Sequence, residues 1–205
     1  LAFIFSAFIY VLIEQSIQNF LPTFNNKVLL LPAALSIQMG SILAGSTATG
    51  RFLAGLILKK LNWFYVLIGC LLCAAALVLV AMPLAQDVTA TNATGWLDAP
   101  AAAYIFPLIG LILAPVYPAI NSVILTSLPK PKHGLMSGLI IIFSALGGTT
   151  GSLITGYIFH EYSGQTAFYF TLVPITLLII CLVIFKRLQK NTATNVDFDM
   201  SKAGH

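Results

Sequence analysis

The chain has 205 residues, of which 59% are hydrophobic and only 8% charged, with ten Lys and Arg against six Asp and Glu. Soluble domains run at about 45–50% apolar and about 25% charged residues, so this balance excludes a soluble globular protein and points to a polytopic membrane protein. The small basic excess reports membrane topology rather than nucleic-acid binding.

A membrane-crossing helix needs about 20 mostly apolar residues. Six runs satisfy this, over approximately 1–24, 31–58, 63–85, 101–128, 135–159 and 166–186. The chain opens at Leu1, without a methionine and already inside an apolar run, so an upstream part is expected to be absent. In the first span Ser6, Tyr10, Glu14 and Gln18 recur every four residues and share one helical face, with Gln15 and Asn19 in a row beside it. Glu14 lies about 15 Å from the end of its span, near the bilayer midplane. A charge there costs about 2.5–3.5 kcal/mol on insertion scales. A structural hydrogen bond between helices would explain one such residue. So dense a polar cluster favours the wall of a hydrated cavity, with Glu14 as solute ligand or proton carrier.

In the second span Gln38, Ser41, Gly45 and Thr49 form a small and polar face, and Gly40, Gly45, Gly50 and Gly55 spread around the helix. Such glycines allow close helix packing. Arg51 is the second charge within a span. The acids are Glu14, Asp87, Asp98, Glu161, Asp197 and Asp199. Three of them fall at the outer ends of spans and two in the tail. Arg51 is left with Glu14, the tail, polar groups or an acid upstream of Leu1, and the last is the expected partner.

The third span is almost purely apolar. Its Cys70-x-x-Cys73 reads as small buried hydrophobes, as does Cys181, and no metal or cofactor is expected. The loop after it holds an N-A-T triplet at Asn92, a motif common by chance. The fourth span carries Pro107, Pro115 and Pro118, which predict a bent helix, with Tyr117 and Asn121 one turn apart. The fifth holds a G-x-x-x-G at Gly147 and Gly151, flanked by Ser144, Gly148 and Thr155, a helix-packing pattern. The sixth is apolar again. Polar spans 1, 2, 4 and 5 against apolar spans 3 and 6 describe two three-helix units, each with a peripheral third helix.

With alternating spans, Lys59, Lys60, Lys130, Lys132, Lys186, Arg187, Lys190 and Lys202 share one side. Lys27, Asp87, Asp98 and Glu161 fall on the other. The basic side is expected to be cytoplasmic. His133, His160 and His205 all lie in loops or tail, so no catalytic constellation is visible and an enzyme is not expected.

Several segments resemble the major facilitator superfamily, in particular its fucose and glucose/galactose permease-like (FHS) group. YVLIEQSIQNFLP resembles that group's seventh helix, and Gly50-Arg51-Phe52 its eighth. GLILAPVYPAINS is similar to the tenth, and GLMSGLIIIFSALGGTTGSLITGYI to the eleventh. The family's loop signature lacks its acid here, where Leu58 precedes Lys59, and Ala54 stands where the group has a small residue after GRF.

The resemblance implies an all-α fold of six transmembrane helices in two three-helix repeats, forming one half of such a transporter. Residues 1–190 would be its C-terminal half and 191–205 a polar cytoplasmic tail without fixed structure. It implies proton-coupled symport of a small polar solute, a sugar, by alternating access. The alternative is a proton-coupled exporter of drugs or metabolites. Tyr10, Glu14, Gln18, Gln38, Tyr117 and Asn121 would line the solute cavity, and Arg51, Lys59 and Lys60 would sit at the inner gate. The implied partners are the solute, the coupling proton, the bilayer and an N-terminal half of the same chain, with no nucleic acid. The implied location is a bacterial inner membrane, crossed several times.

Overall fold

The computed structural model describes residues 2–86 and 95–203, with side chains over 4–86 and 95–187. Asp87 and the Asn92 triplet lie outside the described residues, as does His205. Among the described residues eight α-helices follow one another: α1 Ala2–Lys27, α2 Ala33–Ile57, α3 Trp63–Gln86, α4 Ala101–Leu113, α5 Val116–Thr126, α6 His133–Glu161, α7 Gly164–Phe170 and α8 Leu172–Ala203. They make six rods, because α4–α5 and α7–α8 are each one span with a break. Among the described residues there is no strand, and the chain is an all-α membrane protein.

Among the described residues five stretches are long and apolar enough to cross a membrane: Ile4–Lys27, Trp63–Gln86, Ala101–Thr126, Lys130–Glu161 and Gly164–Arg187. The sixth expected span, α2, has the length, since its 25 residues cover about 37 Å. It is less apolar, because Gln38, Arg51 and a series of Ser and Thr residues interrupt it.

The α4–α5 break falls at Ala114–Pro115. Pro115 and Pro118 have no N–H to offer the carbonyls of Leu111 and Ala114, so the helical ladder cannot run through. Pro107 sits inside α4 without interrupting it. In the other broken span, Ser163 caps the start of α7 by accepting from the Thr166 backbone N–H at 3.0 Å. The Thr171 hydroxyl, which donates to Phe168 O at 2.6 Å, closes α7. Beyond the span α8 continues as helix to Ala203, where the polar sequence suggests a tail without fixed structure. Extending an existing helix adds one hydrogen bond per residue and needs no new nucleus.

The two three-helix units interlock. The first rod of each packs on the second rod of the other, α1 on α6 and α4 on α2. The third rods follow the same exchange, α8 on α1 and α3 on α4. Both inner seams depend on glycine. A Cβ on Gly147 or Gly151 would run into the Phe8 or Leu12 carbonyl oxygen of α1. On Gly50 it would meet the Leu111 carbonyl of α4, and on Gly110 the Leu43 side chain of α2. Backbone approaches this close are the means by which membrane helices associate, since lipid offers no hydrophobic drive between them.

Phe24 of α1, Phe106 of α4 and Phe168 of α7 meet edge to face, with centroids 4.7–5.0 Å apart, and tie three rods together. At the basic end Lys186 Nζ lies 3.9 Å from the Phe64 ring centroid and 4.3 Å from that of Tyr65, joining α8 to the start of α3. The outward face of α3 is apolar (Leu72, Leu79, Val80, Leu84), as is that of α8 (Val173, Leu177, Ile180, Ile184).

Candidate functional site

Glu14 and Arg51 meet. Arg51 Nη2 donates to Glu14 Oε1 at 2.8 Å across the α1–α2 contact. The expected acid upstream of Leu1 is therefore not needed to neutralise Arg51. Counted from the α1–α2 link, Glu14 lies about 20 Å down α1 and Arg51 about 27 Å down α2. An arginine side chain covers that offset, which a comparison of backbone depths overlooks. Pairing also removes the net charge that would otherwise cost about 2.5–3.5 kcal/mol per group inside the bilayer.

The pair opens onto a cavity of about 650 Å³. From α1 it is lined by Val11, Glu14, Gln15 and Asn19; Arg51 comes from α2 and Tyr117 from α5. The α6 wall consists of Ser144, Gly148, Thr149 and Ser152, with Ala145 and Leu153. Two cross-wall hydrogen bonds brace it: Asn19 Nδ2 donates to Ser152 Oγ at 2.7 Å, and Tyr117 Oη lies 3.2 Å from Ser144 Oγ. Thr149 is engaged with its own helix, donating to Ala145 O at 3.0 Å. The Gly148 position leaves room for Gln15, whose Cγ would lie 3.1 Å from an added Cβ.

Behind this wall stands Tyr10, fully buried and stacked on Tyr117 with centroids 5.7 Å apart. Its hydroxyl has two acceptors in reach, Leu113 O at 3.1 Å and Glu14 Oε1 at 3.3 Å. Leu113 is the last residue of α4, at the proline break. One phenolic proton thus links the cavity carboxylate to the bend of the fourth span. Glu14 also borders a second, far smaller cleft with Tyr10, Gln18, Leu43, Thr47 and Gly110.

The residues expected at the site fall into three groups. Glu14 and Tyr117 line the cavity, and so does Arg51, in place of its expected position at the inner gate. Tyr10 and Gln18 lie on the α2–α4 side of Glu14, in the small cleft. Gln38, Asn121, Lys59 and Lys60 do not line the cavity. Gln38 accepts from Trp96 Nε1 at 2.7 Å, and Tyr104 donates to the Trp96 carbonyl, so Gln38 anchors the link before α4. Nine residues at about 100° each put Gln38 on the opposite side of α2 from Thr47, which looks toward Glu14. Asn121 sits one turn beyond Tyr117 in α5, its Oδ1 buried and without a partner among the described residues. Lys59 and Lys60 are exposed in the turn before α3.

Gln15 and Asn19 line the cavity from the second polar row of α1, and Thr149 and Ser152 line it without having been singled out in the sequence. A signal for Ser152 exists in the i, i+4 row Ser144–Gly148–Ser152, a small and polar stripe that Thr149 borders. Among the described residues no cluster of His, Cys, Asp and Glu could hold a metal ion, and Cys70, Cys73 and Cys181 are free thiols.

The family profile described as Major Facilitator Superfamily matches this chain over residues 1–148 and again over 88–200. No curated protein and no solved structure matches.

Proposed function

The chain belongs to the major facilitator superfamily of membrane transporters, and from that membership we propose that it is the C-terminal six-helix half of an FHS-like, proton-coupled symporter for a small polar solute of the sugar type. The Glu14–Arg51 pair on the wall of a 650 Å³ hydroxyl- and amide-lined cavity carries this reading. Amides and hydroxyls offer the directional hydrogen bonds that a polyhydroxy solute needs, and the Tyr117 ring in the wall supplies an apolar surface. A cavity for apolar drugs would carry few such hydrogen-bonding groups, so a polar solute is favoured over an apolar drug.

In this reading the N-terminal half of the same chain supplies the facing wall, and the two halves rock about the cavity to expose it alternately. The basic end, with Lys59, Lys60, Lys130, Lys132, Lys186 and Arg187, faces the cytoplasm of a bacterial cell. Glu14 carries the proton. Counterflow of labelled sugars in proteoliposomes containing the full-length protein tests the proposal, with Glu14→Gln as the variant. Uptake driven by a pH gradient should fall, while counterflow and membrane expression stay intact. Normal pH-dependent transport by that variant would remove Glu14 from the mechanism.

A further inference from the structure

The hydrogen-bonding capacity left open in the cavity says more about the solute, provided that the polar-solute reading above holds. Most polar side chains there already satisfy one another, Asn19 with Ser152 and Tyr117 with Ser144, while Thr149 binds its own helix. Arg51 does not. A guanidinium has five N–H donors in a planar fork. One of them, on Nη2, donates to Glu14, the Tyr10 hydroxyl is close enough to take a second, and the remaining donors have no protein acceptor among the described residues. The Arg51 side chain is 47% exposed, toward the cavity, whereas Glu14 is 11% exposed. The cation presents its fork to the cavity, and the carboxylate is drawn back toward Tyr10. This pair is held by a single contact, not by the bidentate fork that gives Arg–carboxylate pairs their strength.

We propose that the solute is a hydroxylated monocarboxylate, such as a sugar acid, whose carboxylate displaces Glu14 from Arg51, so that Glu14 takes up the co-transported proton. The charge count requires the proton. Among the described residues the empty site holds the charges of Arg51 and Glu14 and is neutral. An added carboxylate would make it −1 at bilayer depth, where net charge is disfavoured. A proton from the external water adds to the Glu14 carboxylate and restores neutrality, with the solute anion on the guanidinium. No other group near Glu14 serves as well. Tyr10 on its own helix and Tyr117 on α5 are neutral phenols, and Arg51 is the only charge that α2 brings to it. At the two clefts α4 presents Gly110 and Leu113, and α6 only hydroxyl and apolar groups. The buried face of α8 is apolar. Tyr10 also fits the neutral state. Once Glu14 is protonated, its hydroxyl donates to Tyr10 Oη, and the phenol proton is free for Leu113 O.

The experiment uses the full-length protein in proteoliposomes, with labelled gluconate and glucuronate against glucose and galactose. An inside-alkaline pH gradient should accumulate the sugar acids and not the neutral sugars. An imposed membrane potential without a pH gradient should leave sugar-acid accumulation unchanged, whereas carriage of one net charge would alter it about fiftyfold per 100 mV. Arg51→Gln should lower sugar-acid uptake at least about tenfold. Arg51→Lys, which keeps the charge and loses the fork, should retain part of it. Glu14→Gln should keep sugar-acid exchange and lose the pH-driven accumulation. Uptake of glucose or galactose without the sugar acids would overturn this inference and leave the sugar-symporter reading standing. A dependence on potential would overturn the proton stoichiometry and with it the displacement step. Wild-type uptake of neither class would overturn the polar-solute reading beneath it.

Discussion

The α1–α6 seam gives the most direct test of how this helix bundle is held together. A methyl group at Gly151 would lie inside contact distance of the Leu12 carbonyl oxygen, 2.9 Å from Ser16 Oγ and 3.0 Å from Leu12 Cα. Two of these atoms are backbone, and Ser16 Oγ is itself held by donating to Leu12 O at 2.7 Å. Carbon contacts relax only near 3.5–4.0 Å, so Gly151→Ala requires the two helices to part by about 1 Å. Overpacking of this kind costs about 1–3 kcal/mol. At about 2–4 °C per kcal/mol for a domain of this size, the melting temperature should fall by about 2–12 °C. The same displacement stretches the Asn19–Ser152 bond from 2.7 Å beyond hydrogen-bonding range, so uptake should fall as well. Gly69 of α3 is the control. A methyl group added there would meet nothing within 4 Å, and Gly69→Ala should leave both readouts unchanged or raise stability slightly. Thermal melts of purified full-length protein in detergent, paired with counterflow, read both effects. If Gly151→Ala melts with the wild type and with Gly69→Ala, the close seam is not what holds α6 to α1.

Two further outcomes follow from the site geometry. Tyr10→Phe removes a buried hydroxyl that serves both Leu113 O and Glu14, and should cost about 1–2 kcal/mol in the same melts. It should also change the pH profile of uptake, since the phenol is the neutral donor beside Glu14; a stability loss with an unaltered profile would limit Tyr10 to packing. Gln38→Leu breaks only the exposed bond to Trp96, so its cost should stay below about 1 kcal/mol and uptake should persist. Abolished counterflow with normal expression would instead return Gln38 to the solute path.

The rods, their order and the proline break are legible in the sequence because each depends on local composition and spacing. The position of Arg51 is not, because the inner gate rests on backbone depth. Arg51 reaches upward along its own side chain, and depth alone assigns it to the basic end. The polar face of α1 reads as one wall, yet its two rows part company in the structure. Gln15 and Asn19 turn to α6, while Tyr10 and Gln18 turn to α2 and α4, with Glu14 at the boundary. Which row faces the cavity depends on where α6 docks, and residues more than a hundred positions away decide that. Gln38 fails for a simpler reason: a face drawn from spacings of three and four residues fixes which side chains share a side, not which neighbour that side meets.

The exchanged packing of the two units carries a consequence for how the chain is made. Helix α1 ends at Lys27 and its principal neighbour α6 begins at His133, 106 residues later. At about 5–20 residues per second, roughly 5–20 s of synthesis separate the two. During that interval α1 has its polar rows made and the α6 side of its seam uncovered, and α2 can neutralise Glu14 only once Arg51 has emerged. Until α6 arrives, that side of α1 has to be sheltered by something other than its final partner. Mutations that loosen the α1–α6 seam should be felt first as failed biogenesis, before any transport step is reached.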